Sequence, residues 1–136
     1  MERKNGLMLV LHRKIFAEAL IKAFEKNRGL EAFSIYDYKN LGTMAESRKP
    51  VLALVEIPER YGSPALETLD VCDQIKKASP GCKILLMCSE KDKESIYLCT
   101  EEKRMGGIDD FVFYDSSMEY LLAKLDALLP AVSGTL

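Results

Sequence analysis

The chain has 136 residues, of which 48% are hydrophobic and 29% are charged, a composition typical of a globular protein. A chain of this length is expected to form one domain around a single hydrophobic core. The net charge of −2 argues against direct nucleic-acid binding, which would require a strong basic excess, and no apolar run reaches the roughly 20 residues that span a membrane.

Cysteine usage and the first residues of the chain favour a cytoplasmic protein with reduced thiols. No Cys-x-x-Cys pair is formed by the four cysteines, which are Cys72, Cys82, Cys88 and Cys99. Because His12 is the only histidine, we expect no zinc site and no other bound metal or cofactor. Cys82 and Cys88 would lie about 20 Å apart on one strand, beyond the reach of a disulfide. The first six residues lead into an apolar run, so we expect no signal peptide.

The first third of the chain predicts two strands and a helix. Gly6–Leu11 is an apolar run typical of a buried strand. From Lys14 to Gly29 the apolar period is helical, and its predicted buried face consists of Ile15, Phe16, Ala19, Leu20, Ala23 and Phe24. Leu30–Tyr38 is predicted to be an edge strand, and residues 37–48 are either a short polar helix or a loop.

The next stretch, Pro50–Pro58, predicts the strand around which the fold is organised. Its interior reads Val-Leu-Ala-Leu-Val-Glu-Ile, and such a continuous apolar run indicates a strand buried on both faces. A strand of this kind belongs in the middle of a parallel sheet covered by helices. Glu56 lies near its carboxyl end, at the edge where open α/β sheets bind their ligands.

Ser63-Pro64 then predicts the start of a helix, with a hydroxyl cap followed by proline in the first helical position. The predicted buried stripe of this helix consists of Leu66, Leu69, Cys72 and Ile75. Ile84–Met87 is the predicted fourth strand. Asp92–Met105 is a predicted helix with Ile96 and Cys99 buried, and Gly106-Gly107 ends it.

The last part of the chain predicts a fifth strand, Ile108–Tyr114, and a fifth helix. Ser116 and Glu119 have the spacing of a capping box at the start of that helix. Its predicted apolar face consists of Met118, Leu121, Leu122, Leu125, Leu128 and Leu129. Pro130 ends the helix, and we expect residues 130–136 to form a disordered tail.

Five strand signals alternate with helical ones, which predicts a (βα)5 chain. Right-handed crossovers then give an α/β fold of the flavodoxin-like type, a three-layer sandwich with a five-stranded parallel sheet of order 2-1-3-4-5. In this order the ends of strands 1, 3 and 4 meet at one edge of the sheet. The residues expected there are Leu11, His12, Glu56, Cys88 and Ser89.

With these elements the chain resembles the receiver domain of two-component response regulators, the CheY-like family, over residues 6–129. Lys83–Ser89 resembles the fourth strand of the family, and Gly107–Phe113 resembles its fifth strand. Val51–Ile57 resembles the third strand, which ends on the phosphoacceptor. The resemblance implies a single receiver-like domain over this range.

The resemblance also implies that the residues of phosphoryl transfer are replaced. The acidic pair of the family falls on Leu11 and His12, and its phosphoacceptor aspartate falls on Glu56. Its Thr/Ser falls on Cys88, or on Ser89 if the register shifts by one residue, its Lys falls on Tyr114 and its switch aromatic on Phe111. Mg²⁺ prefers oxygen ligands, and phosphoryl transfer depends on neutralising charge. We therefore expect no metal site, no efficient phosphorylation and no enzymatic activity.

Two interpretations of Glu56 stay open. It is either a fixed mimic of the phosphorylated aspartate or a solvated carboxylate at a strand end. Because a carboxylate at that position is expected to be exposed, Glu56→Gln is predicted to alter partner binding more than stability. His12-Arg13-Lys14 either binds an anion or forms a helix start with an internal salt bridge to Glu56.

The predicted function is that of a pseudo-receiver, a signalling domain of a response regulator that acts by protein–protein contact. A surface on helix 4, strand 5 and helix 5, with Tyr97, Arg104 and Tyr120, would bind another protein or a second copy of the chain. A transcriptional role would pass through a partner or the remainder of a longer regulator. The alternatives are a receiver phosphorylated on Glu56, a small-molecule or anion sensor, and a flavodoxin-type electron carrier, for which the phosphate-cradling loop is missing.

Overall fold

The computed structural model of the chain describes residues 5–36, 38–59 and 64–129. Strands and helices alternate in the order β1 (Asn5–Val10), α1 (Lys14–Arg28), β2 (Glu31–Ser34), α2 (Leu41–Arg48), β3 (Leu52–Glu56), α3 (Pro64–Ala78), β4 (Lys83–Cys88), α4 (Lys93–Met105), β5 (Asp110–Phe113) and α5 (Met118–Leu128). The strands form one sheet of order β2-β1-β3-β4-β5, in which every pairing is parallel. The predicted flavodoxin-like α/β fold is confirmed, whereas the predicted tail over residues 130–136 and the predicted cap Ser63 lie outside the described residues.

Side chains that alternate along the strands build two hydrophobic cores, one on each face of the sheet. Leu20 of α1 and Leu125 of α5 share one core with Leu54 of β3. Ile75 of α3 belongs to the opposite core together with Val55 of β3, and α2 and α4 contribute to the same side. All residues of β3 are buried, as the sequence predicts for a central strand. None of the helices in the described ranges is long and apolar enough to span a membrane.

The buried face of α1 differs from the predicted one. Ala17, Leu20 and Phe24 are buried, whereas Ile15 is 84% exposed and Ala19 also faces outward. Consecutive helical residues point about 100° apart, so a pair of adjacent apolar residues cannot both face the sheet. The helix therefore buries the i, i+3, i+7 set of Ala17, Leu20 and Phe24 and leaves Ile15 in its first turn exposed.

The segment around the edge strand is shorter and more helical than predicted. The strand predicted over Leu30–Tyr38 is limited to β2, and Tyr38–Asn40 form a 3-10 turn that leads into α2. Leu41 and Ala45, which are four residues apart and lie on one face of α2, are buried. The alternative of a polar loop is therefore wrong for this segment, and a short helix is present.

The first turn of α3 faces a different way from the one predicted. Cys72 and Ile75 are buried as expected, but Leu66 is 56% exposed. Ala65 and Thr68 occupy the buried face instead, and Thr68 can do so because its hydroxyl donates a hydrogen bond to a carbonyl oxygen of its own helix. The result is a large apolar side chain on the surface of α3.

The two last helices have well-defined starts. Asp92 caps α4 by accepting a hydrogen bond from the backbone N–H of Ser95 at 3.1 Å, and Gly106 ends the helix with a left-handed φ of 86°. Ser117 caps α5 by accepting from the N–H of Tyr120 at 3.1 Å. The cap thus lies one residue later than predicted, and the capping box from Ser116 is wrong because residue 119 is no longer in the third helical position.

β5 begins two residues later than the predicted start at Ile108. The carboxylate of Asp109 accepts a hydrogen bond from the backbone N–H of Ile84 at 2.8 Å, where a strand residue would offer its carbonyl oxygen. The Asp109 side chain therefore takes the place of one backbone acceptor between β4 and β5, and regular pairing of these strands starts at Asp110. At the other end, Tyr114 follows the last residue of the strand.

Candidate functional site

Glu56 is the last residue of β3 and lies at the carboxyl edge of the sheet, where β1, β3 and β4 end side by side. Strand alternation places its side chain on the face that α1 and α5 cover, since Leu52 and Leu54 belong to the core on that face. The residue is only 4% exposed. The interpretation of Glu56 as a solvated carboxylate is therefore wrong.

Both carboxylate oxygens of Glu56 have internal partners. Oε1 accepts a hydrogen bond from the backbone N–H of His12 at 2.9 Å, and Oε2 accepts one from Nε of Arg13 at 3.2 Å. His12 and Arg13 lie immediately before α1, so the carboxylate occupies the positive end of the helix dipole. The internal salt bridge that was one of two interpretations of this segment is present.

Arg13 is held by further contacts around its guanidinium. Its Nη2 contacts the sulfur of Met87 at 3.2 Å, and its central carbon lies 4.7 Å from the ring centroid of Phe16 and 5.0 Å from that of Tyr114. Two aromatic faces and one carboxylate therefore surround the cation. Arg13 takes the N-cap position of α1 without a capping side-chain bond, since a guanidinium has no acceptor, and its side chain is directed to this cluster.

Tyr114 follows β5 and closes the same site from the other side. Its hydroxyl donates a hydrogen bond to the carbonyl oxygen of Ile57, and its backbone N–H donates to the carbonyl oxygen of Cys88 at 3.0 Å. Burial raises the pKa of the Tyr114 hydroxyl, and the negative charge of Glu56 raises that pKa further. The phenol therefore stays neutral, and it bonds to backbone next to Glu56 rather than to the carboxylate.

Two other residues predicted for this edge are buried in the cores. Leu11 is 1% exposed and belongs to the core under α1 and α5, where it offers no ligand atom. Cys88 is fully buried in the core on the opposite face, and Ser89 next to it is 8% exposed. The structure therefore brings together Glu56, the backbone of His12, and Tyr114, while the Cys88 side chain belongs to the other side of the sheet.

The thiols are protected by burial. All four cysteines are free and buried, and burial raises the pKa values of Cys72 and Cys82 to about 12. A hydrogen bond with Cys88 and burial together raise the pKa of Cys99. The same hydrogen bond lowers the pKa of Cys88, against the effect of its burial. Because the thiolate is the reactive form, Cys72, Cys82 and Cys99 are poor nucleophiles in the folded chain.

The ring of His12 makes a contact that the sequence did not predict. Its Nε2 and the hydroxyl of Tyr38 lie 3.0 Å apart, in hydrogen-bond contact, and the two ring centroids are 5.9 Å apart. His12 therefore connects the Glu56 site, through its backbone, with the 3-10 turn before α2. No local pattern could have revealed this pair, because the two residues meet only when β1 and the segment after β2 lie side by side.

Beside Tyr114 lies a small surface concavity of about 170 Å³, lined by Glu59, Ser89, Glu90, Lys91, Tyr114 and Asp115. Glu90 and Asp115 share a hydrogen bond, and this bond together with their mutual repulsion raises the pKa of Glu90. Three carboxylates and one ammonium make a poor anion site. This lining gives no support to an anion sensor at this place.

The site does not fit a Mg²⁺ ion. Leu11 supplies no oxygen, and the Arg13 cation already pairs with the Glu56 carboxylate. Within the described residues, no group of three or more His, Cys, Asp or Glu side chains is arranged to hold a metal. The arrangement is a closed ion pair.

The residues of the predicted interaction surface lie on α4 and α5. Tyr97 of α4 is 65% exposed and Tyr120 of α5 is 51% exposed, while Arg104 pairs with Glu101 at 2.7 Å on the surface of α4. Phe111 of β5 is partly buried and packs against the core. The switch aromatic of the resemblance is therefore turned toward the interior.

Two ion pairs to Asp110 connect the elements that carry Tyr97, Arg104 and Tyr120. The carboxylate of Asp110 in β5 accepts from Nζ of Lys103 in α4 at 3.1 Å and from Nζ of Lys124 in α5 at 2.7 Å. Burial alone would raise the pKa of Asp110, but the bonds from Lys124, from the Phe111 N–H and from Lys103 outweigh it and lower the pKa. One carboxylate thus connects α4, β5 and α5.

No protein-family model matches the sequence, and no curated protein is detectably similar to it. Solved structures match its fold. A response regulator from Thermotoga maritima has a TM-score of 0.72 at 18% identity, covering 92% of this chain and 97% of its own. An adenylate cyclase from Rhodopirellula baltica has a TM-score of 0.76 at 14% identity, covering 92% and 87%. A two-component response regulator from Clostridium difficile has a TM-score of 0.69 at 21% identity, covering 92% and 95%. The chain therefore shares the fold of response-regulator receivers.

Proposed function

We propose that residues 6–129 form a receiver-like domain of a cytoplasmic two-component signalling system, and that this domain signals by protein–protein contact without phosphorylation at Glu56. The fold shared with response regulators supports the first part. The second part rests on the chemistry of the site. In this function the domain has no catalytic step of its own.

The observation that carries the proposal is the complete internal pairing of the Glu56 carboxylate. A phosphoacceptor must present a free oxygen to an incoming phosphoryl group, with a metal ion nearby to neutralise its charge. Here one oxygen is bonded to the His12 N–H, the other to Arg13, and the residue is 4% exposed. Attack on a phosphodonor would require the attacking oxygen to leave its internal partner and to reach solvent from a buried position.

The Arg13 guanidinium takes over the electrostatic role that metal and lysine have in the family the chain resembles. It contacts Phe16, Tyr114 and Met87, so the protein itself supplies the cation that neutralises Glu56. In such a site, the state of the domain does not depend on a phosphorylation cycle. The interpretation of Glu56 as a fixed mimic of the phosphorylated aspartate stays a prediction.

The output of such a domain has to be a contact with another protein chain. The surface formed by Tyr97, Arg104 and Tyr120 presents two exposed tyrosines and an arginine, the residue types that most often dominate binding energy at interfaces. The bridge through Asp110 would hold α4 and α5 in a fixed relation beneath this surface. We propose it as the site for a protein partner or a second copy.

Incubation with acetyl phosphate and Mg²⁺ tests the proposal. We expect the intact mass of the protein to stay unchanged, and a functional receiver domain treated in parallel controls for the reagent. A stoichiometric phosphoryl adduct that disappears in Glu56→Ala would contradict the proposal and establish the alternative of a receiver phosphorylated on Glu56. An adduct that persists in Glu56→Ala would reflect modification elsewhere, and the internal pairing at Glu56 would stand.

A further inference from the structure

A groove runs between the 3-10 turn and α2 on one side and α3 on the other. One end is a concavity of about 420 Å³ lined by Tyr38, Leu66, Glu67, Asp70, Val71 and Gln74. Gln74 also lines a second concavity of about 400 Å³ that continues between α2 and α3 as far as Ala78. The two concavities together form a groove along the length of α3.

The first end of the groove combines apolar side chains that are open to solvent. Leu66 is 56% exposed, and Tyr38 is 36% exposed. Leu66 is exposed because α3 buries Ala65 and Thr68 in its place. A leucine and a tyrosine at the mouth of a concavity provide an anchor point for an apolar side chain of a partner.

The charges around the groove are acidic. Glu67 and Asp70 line its first end, and Glu46 lines the second. The one cation among the described lining residues of the second end, Lys77, is paired with Asp73 at 3.4 Å. The groove therefore offers apolar contact with a negative rim.

We propose that this groove binds a basic amphipathic helix of a protein partner. Its apolar residues would contact Leu66 and Tyr38, and its Lys or Arg side chains would face Asp70 and Glu46. The groove between two neighbouring helices can bind a third helix. In this mode of recognition, apolar side chains at helical spacing along the bound helix contact the groove. α3 has 15 residues and a length of about 22 Å, and the facing wall of the 3-10 turn and the eight-residue α2 is about 18 Å long, enough for some three turns of a bound helix.

The charge also argues against two other occupants. A two-fold contact between copies of this chain through the groove would bring two surfaces of the same negative sign together, which is repulsive. An anionic membrane surface would be repelled in the same way. The groove lies apart from the Tyr97, Arg104 and Tyr120 surface, and the proposal does not depend on the proposed function of the domain.

The groove is connected to the Glu56 site through two hydrogen-bonded residues. Tyr38 lines the groove and contacts the ring of His12, whose backbone N–H is bonded to Glu56. A helix that moves Tyr38 would therefore act on a residue of the Glu56 site. This gives the groove a position from which a partner can influence the domain.

Two synthetic helical peptides with the same leucine positions test the proposal, one flanked by lysines and the other by glutamates. Their binding to the whole chain is followed by fluorescence anisotropy at an ionic strength of about 0.15 M. Leu66→Ser and Asp70→Lys are the test variants, and both change exposed positions. Glu18→Lys on the exposed side of α1 is the matched control, since it changes the net charge as much as Asp70→Lys does.

We expect the lysine peptide to bind saturably and the glutamate peptide not to bind. Leu66→Ser and Asp70→Lys should each weaken binding of the lysine peptide at least about fivefold, while Glu18→Lys changes it little. Absence of saturable binding by the lysine peptide would overturn the proposal. So would equal weakening by Glu18→Lys and Asp70→Lys, which would indicate unspecific attraction, or full binding by Leu66→Ser.

Discussion

At the scale of single residues, the ion pair of Glu56 and Arg13 is expected to contribute to stability at the carboxyl edge of the sheet. Glu56 is buried, while the side chain of Arg13 is 44% exposed, so the pair lies at the boundary between core and solvent. Removing one partner of such a pair leaves the other with its desolvation cost and no bond. The effect on stability is therefore larger than for a surface salt bridge.

Glu56→Gln is expected to lower the free energy of unfolding by about 1–2 kcal/mol, because the amide nitrogen of glutamine would face the guanidinium of Arg13 in place of an anionic oxygen. This reverses the expectation from the sequence, in which an exposed carboxylate contributes little. Urea denaturation measures the change.

A double-mutant cycle with Arg13→Met, which keeps an apolar stem near Phe16, separates the ion pair from the packing. The two substitutions together should cost less than the sum of their separate effects. Additive effects, or a Glu56→Gln protein as stable as the parent, would show that the ion pair contributes nothing to the fold.

The extent to which the site could be predicted depends on how local each contact is. The meeting of Glu56 with the segment after β1 follows from the strand order, because β1 and β3 are neighbours in that order. The contact of His12 with Tyr38, by contrast, depends on the path of the chain after β2, where the predicted strand was too long. Alternation also put Cys88 and Glu56 on opposite faces, a detail that strand-end proximity alone did not resolve.

At the scale of elements, local signals predicted helix ends better than helix faces. Gly29 and Gly106, both in left-handed conformation, end α1 and α4 where the sequence predicts. The faces of α1 and α3 were partly wrong because the rotation of a helix about its axis is set by packing across the sheet. Ile15 and Leu66 are exposed for that reason.

Asp92→Ala should cost about 1 kcal/mol of stability at neutral pH, because it removes the cap of α4. Hydrogen bonds from the side chain and the backbone N–H of Ser95 lower the pKa of Asp92 in the folded chain. A lowered folded pKa gives stability that is present above the unfolded pKa of about 3.9 and is lost as the pH falls through the folded value. The parent should therefore lose its advantage over the variant in acid.

Thermal unfolding of parent and variant between neutral pH and strongly acidic pH measures this difference. Asp73→Ala is the control, since Asp73 forms only an exposed pair with Lys77 on the surface of α3. A difference between parent and Asp92→Ala that stays constant across the whole pH range would contradict the role of the charged cap.

At the scale of the whole molecule, the sheet divides the described part of the chain into two sides with different structural features. The side of α1 and α5 contains the closed Glu56 site, and the side of α2, α3 and α4 contains the groove. This division could be predicted from the alternation of strands and helices, because right-handed crossovers leave few other arrangements. Which exposed side chains bind a partner could not be predicted, since solvent-facing positions follow no fold-determining pattern.

The surface of α4, β5 and α5 carries the last prediction. Tyr97→Ala, Arg104→Ala and Tyr120→Ala are each expected to weaken self-association or partner capture by about 2 kcal/mol, more than tenfold in Kd, because exposed tyrosine and arginine anchors dominate interfaces of this kind. Thermal unfolding should change little, since both tyrosines are more than half exposed, with Tyr97 at 65% and Tyr120 at 51%.

Light scattering and chemical cross-linking of the three variants beside the parent measure the association. Tyr36→Ala is the matched control, because Tyr36 follows β2, at the opposite edge of the sheet from β5, and is 45% exposed. If the parent associates and only the three variants on α4 and α5 lose that association, the surface transmits the state of the domain. If the parent stays monomeric and captures no protein, or if Tyr36→Ala is as defective as the others, the bridge through Asp110 supports the fold alone and the output must lie elsewhere.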